Sequence, residues 1–119
     1  MVFRALLTFG SIVDGRNTKV YTLRDCVYID EWEWDEENEA ELARHALTPR
    51  RVLQVARTKP RFRRNRRRRA ATHMMVGPDL GGTIWVVCIA PAGRGDGSWR
   101  AITGWLGEEA DKEWYRRST

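Results

Sequence analysis

The sequence predicts an α+β domain: an antiparallel sheet of three to four strands, with two helices before it and one after. Three observations carry that reading. Two helix starts follow one another in "WDEENEAELARHAL" and "TPRRVLQVAR". The run "TIWVVCIAPA" is apolar on both alternating faces, which suits a central strand covered on both sides. Two further strand-like runs, "THMMVG" and "SWRAITGW", flank it across the turn signals "PDLGG" and "AGRGDG". Strand, helix, helix, three-strand meander, helix is an order that sets helices on one face of an antiparallel sheet.

Residues 1–27 hold two strand-like runs, "VFRALLTF" and "KVYTL", separated by the turn signal "DGRN". They form either a hairpin added to the domain or a poorly ordered extension. "YIDEWEW" reads as one short strand anchored by Ile29, Trp32 and Trp34. Asp35 offers an N-cap, and the carboxylates that follow occupy the first helical turn, where the dipole favours them. Leu42, Ala43, Ala46 and Leu47 give this helix an apolar stripe. Thr48 and Pro49 open a second helix, Thr as cap and Pro where its missing N–H costs nothing. Val52, Leu53 and Ala56 line one face of it, and Pro60 ends it. In "SWRAITGW", strict alternation sets Trp99, Ala101, Thr103 and Trp105 on one face and Arg100, Ile102 and Gly104 on the other. The closing helix, "EEADKEWYRRS", starts with acids and finishes with arginines.

A chain of 119 residues has room for one core and little more. Its 42 % hydrophobic content and six tryptophans exclude disorder throughout. A net charge of +5 points to an anionic partner, and the placement of charge sharpens the point. Glu31 to Glu41 carries seven carboxylates and no base; Arg44 to Arg69 carries twelve Lys or Arg and no acid. Such blocks act as separate electrostatic surfaces. Cys26 and Cys88 lack metal-ligand spacing, no stretch reads as a secretory leader, and no apolar run has membrane length. The expectation is a cytoplasmic protein with buried free thiols, no metal, no cofactor and no membrane contact.

Between Arg57 and Arg69, nine of thirteen residues are Lys or Arg. The planar guanidinium donates two parallel hydrogen bonds to a phosphate, and binding built on many such contacts falls steeply with salt. Arg63, Arg64, Arg66, Arg67 and Arg68 are the candidate ligands for RNA phosphates. Arg69 and Arg100 are candidates for gripping the phosphate at a reaction centre, Arg100 because it projects from a rigid strand. His73 begins the strand after the arginines and is the candidate for proton transfer near neutral pH. Each has a plainer reading. The arginine block also fits a solvated loop, an address signal or a surface for an acidic protein. Arg100 fits an exposed charge that keeps sheets from stacking, and His73 a packed side chain. His45 reads as a cation at a helix C-terminus before it reads as a reagent. Trp85, Trp99 and Trp105 read as core; for the last two a platform for a stacked base is the other role.

From Tyr28 to Arg117 the chain resembles the BrnT-like toxins, small members of the RelE/ParE superfamily paired with antitoxins in bacterial type II toxin–antitoxin operons. The likeness rests on the order and spacing of "WDEENEAELARH", "VGPDLGG", "WVVCI" and "EEADKEWY". It implies a RelE-like fold for residues 28–119 and leaves residues 1–27 as an N-terminal extension. It implies an endoribonuclease that cleaves RNA without metal, placing the 2′-hydroxyl in line and stabilising phosphoryl charge with cationic side chains. It also implies a cognate antitoxin that covers the basic surface. Two positions depart from the pattern. Trp105 stands where the group usually has an arginine, and Thr72 stands at or near a second such position. The departures favour the alternative, a non-catalytic nucleic-acid-binding or partner-binding relative. A structural subunit with a basic face is a third class.

Overall fold

The strand with no polar face organises the molecule. In the computed structural model, which describes residues 3–6, 18–21, 26–66, 70–93 and 97–118, Trp85 to Ala90 are all buried. In chain order the elements are β1 (Phe3–Leu6), β2 (Thr18–Tyr21), β3 (Cys26–Ile29), β4 (Glu31–Trp34), α1 (Glu36–Ala43) and α2 (Pro49–Arg57). They continue with β5 (Arg61–Arg64), β6 (His73–Pro78), β7 (Ile84–Pro91), β8 (Ser98–Leu106) and α3 (Glu109–Arg117). The fold is α+β, but the sheet is longer and less uniform than expected. Among the described residues it has six strands in the order β1-β4-β8-β7-β6-β5, with β2 and β3 paired separately. It is mixed, because β4 runs parallel to β8 while the other neighbours are antiparallel. β1 lies beside β4, and β3 straddles the expected boundary at residues 27 and 28. Residues 1–2, 7–17 and 22–25 of the expected extension lie outside the described residues.

Local chemistry explains the other differences. "YIDEWEW" is two strands because the carbonyl of Gly97 accepts the N–H groups of Asp30 (2.8 Å) and Glu31 (3.0 Å). Gly97 has φ +89°, and a Cβ there would lie 2.7 Å from Asp30 Cβ and Tyr28 Cε2, so the junction needs glycine. Trp32 and Trp34 project from the same side of β4, stacked 6.0 Å apart and fully buried. Asp35 caps α1 as expected: its carboxylate accepts the Asn38 N–H, and the Asn38 side chain accepts the Asp35 N–H, both at 2.8 Å. The helix stops early because Ala46 turns left-handed, with φ 62°. Leu47 N–H then reaches Leu42 O and Ala46 N–H reaches Ala43 O, the paired closure of a Schellman motif. Leu42 and Leu47 are buried, whereas Ala43 and Ala46 are exposed, so the expected stripe is only its two leucines. Thr48 and Pro49 start α2 as expected, Thr48 Oγ1 accepting from Arg51 N–H.

The arginine block supplies a strand. Phe62 sits between Arg61 and Arg63 with period two, and it alone enters the core, at 2 % exposure. In β8, the expected alternation fails at one residue. Cys88 pairs with Thr103 and Ile89 with Ala101, so Ile102 is the extra residue of a bulge. Trp99 and Ala101 therefore face the α2 side, in the core with Val87 and Ile89. Thr103 and Trp105 share the other face with Cys88 and Val86. α3 packs on that second face, not with α1 and α2: Arg63, opposite in direction to Phe62, meets Asp111 and Trp114 of α3. α1 follows the edge of β8 beyond the end of β4, where Asn38 Nδ2 donates to the carbonyls of Glu33 and Ala101. No helix among the described residues is long and apolar enough to cross a membrane.

Candidate nucleic-acid interface

The second face of the sheet is ordered in rows. Arg63, Met74, Cys88 and Thr103 are register partners across four strands, and Arg61, Val76, Val86 and Trp105 form the next row. Each row begins with an arginine on the edge strand β5 and ends on β8, about 14 Å away at ordinary strand spacing. α3 covers only part of this face. The remainder is a groove of about 530 Å³, lined by Arg63, Asn65, Met74, Cys88, Thr103 and Trp105, with Ala70 and Ala71 at the β5 end.

Arg63 is held in place. Its Nη2 donates to Asp111 Oδ1 at 2.9 Å, and the guanidinium lies 4.8 Å from the Trp114 ring centroid. The planar cation is thus pre-oriented at the groove, with part of its charge balanced by Asp111. Cys88 lies in the same groove, and burial pushes its thiol up to about 11, against the opposing charge of Arg63. It stays a neutral thiol near pH 7 and is a poor nucleophile there. Asn65 Nδ2 donates to Ala71 O, which closes the start of the β5–β6 loop.

The proposed phosphate and proton-transfer residues do not converge. His73 sits on the α2 side, 5.6 Å from Trp99 in an edge-on ring contact, with Nδ1 2.9 Å from Thr72 Oγ1. Arg100 follows Trp99 on the same strand and so points to the opposite face. There Arg100 forms a 2.9 Å ion pair with Asp35 and is the register partner of the buried Glu33. Its guanidinium, like that of Arg63, is paired with a carboxylate of the fold. Arg64 is exposed on the same side of β5 as Phe62, and Arg66 is exposed just beyond the strand. Arg67, Arg68 and Arg69 lie outside the described residues. Of the expected site, the structure therefore brings Arg63 to the groove and separates His73 from Arg100.

Sequence reading missed a cluster at the α1 side of the groove. Glu41 Oε2 accepts a 3.0 Å hydrogen bond from Thr103 Oγ1 and lies 3.4 Å from His45 Nε2. One carboxylate oxygen thereby links an imidazole to a hydroxyl that lines the groove. The spacing of Glu41 and His45, one helical turn, was visible in the sequence; Thr103 was not, because the bulge decides which way it faces. The Asp35 carboxyl is held below its ordinary 3.8 chiefly by the Asn38 N–H, against the push of burial, with Arg100 adding to the effect. Among the described residues, no group of three or more His, Cys, Asp or Glu is placed to hold a metal ion. No family model, curated protein or solved structure matches the chain.

Proposed function

We propose that this chain is a BrnT-like protein of the RelE/ParE superfamily that binds RNA on the second face of its sheet. One observation carries the reading: a groove with an aromatic and polar lining opens beside an edge strand that begins the longest arginine run in the chain. The pairing of the held Arg63 with an apolar floor suits a polyanion whose bases also need contact. The order from β4 through two helices and a meander to α3 supports the family assignment. A cognate antitoxin that covers the basic edge is part of the same proposal.

A second reading, metal-independent endoribonuclease activity, is favoured by the Glu41–His45–Thr103 cluster at the groove. In it, His45 replaces His73 as the proton-transfer group, and Arg63 replaces Arg100 beside the phosphate. The test is RNA binding across a salt series together with RNA cleavage in EDTA. Salt-dependent binding without cleavage supports the first reading alone. Cleavage that falls ~100-fold in His45→Gln but not in His73→Gln supports the second. Absence of both binding and cleavage discards both.

A further inference from the structure

We infer that the groove on the second face receives an unpaired nucleobase, stacked on Trp105, with the flanking phosphates on the arginine edge of β5. The inference rests on the RNA-binding reading above and adds what the site recognises. Three tryptophans of the meander and its flanks divide sharply in their surroundings. Trp85 Nε1 donates to Asp79 Oδ2 (3.0 Å) and Trp99 Nε1 to Tyr28 O (2.8 Å), and both rings belong to the buried core. Trp105 stands outside that core, half-buried, and lines the groove. The bulge at Ile102 puts it there.

The neighbours of Trp105 suit a base better than a peptide or an acyl chain. Met74 and Ile102 give an apolar bed, while Thr103 and Asn65, which donate to Glu41 and to the Ala71 carbonyl, add polar groups to the lining. Arg63 lines the same groove with its guanidinium held by α3, and Arg61 begins the row that ends at Trp105. About 530 Å³ lies within the range of sites that enclose a small organic ligand. A base inside a duplex offers its face to its stacked neighbours, so only a base out of the stack can lie on an indole at the floor of a groove.

The experiment is fluorescence anisotropy with a short labelled 2′-O-methyl RNA, which resists cleavage through the 2′-hydroxyl. It is run single-stranded and annealed to its complement, against wild type, Trp105→Phe and Trp105→Ala. The expected result is that Trp105→Ala weakens single-strand binding at least ~10-fold, as loss of one base–aromatic stack does. Trp105→Phe retains most of the affinity, and duplex binding and the salt slope stay as in wild type, because no charge has changed. Equal single-strand affinity in wild type and Trp105→Ala overturns the base site while leaving RNA binding intact. Equal losses on single strand and duplex also overturn it, since a general folding defect acts on both. Absence of RNA binding by wild type overturns this inference and the reading beneath it together.

Discussion

The two faces of the sheet are made from alternate residues of the same strands, yet they are closed in different ways. On the α2 side, Trp32, Trp34, Met75, Val87 and Ile89 are fully buried and Phe62 nearly so, sealed by Val52 and Val55. On the opposite side Val76 and Val86 are also buried, but the rows end in arginines at β5 and in Thr103 and Trp105 at β8, around an open groove. The contrast shows a division of labour by parity. In β5 through β8, one set of alternate positions forms the closed core, and the other is divided between buried valines and the open groove.

Substitutions should separate along the same line. The largest effect belongs to the closed face: Trp34→Ala should cost about 3–5 kcal/mol of stability in urea unfolding. A loss under 1 kcal/mol would mean that this side is not the core. On the open face, Arg63→Gln should lower stability by only ~1 kcal/mol, since a partly exposed pair is at stake. Its main effect should be on RNA, reducing the salt slope of binding by about one. An unchanged slope would remove Arg63 from the interface. The smallest effect concerns the edge between the faces. Asp35 has a folded pKa below the ordinary 3.8, so its stabilising contribution is complete above that value and is lost as pH falls through the folded pKa. Asp35→Asn keeps a capping side chain but loses the charge opposite Arg100. The gap in melting temperature between wild type and this variant should hold at neutral pH and narrow below about pH 4. A gap that stays constant down to pH 2 would assign the difference to capping geometry instead.

How much of this could be read beforehand depended on the range of the interaction. The start of α1 at Asp35, the Thr48–Pro49 opening of α2 and the buried β7 were legible because each is set by neighbours in sequence. The end of α1 was not, because Ala46 adopts a conformation that usually selects glycine or asparagine, so the stop carried no residue signal. Phe62 was a fair clue to β5, a lone apolar residue between arginines in a cationic stretch, but charge dominated the reading. The parallel pairing of β4 with β8 depends on partners more than sixty residues apart and left no local trace. For the site, Arg63 reaches the groove from the edge strand. His73 and Arg100 were joined by an assumption about direction that alternation on β8 and the Trp99 contact exclude.

Ile102 is the residue of β8 that the ladder with β7 passes over. The bulge it forms breaks the alternation of the strand, so that Trp99 and Trp105, six residues apart, face opposite sides of the sheet. The bulge therefore uncouples the two halves of β8, so that each presents its own alternate residues to a different layer. Removing Ile102 alone would close the bulge and leave Thr103, Gly104 and Trp105 opposite Cys88, Val87 and Val86, with the indole still on the outer side.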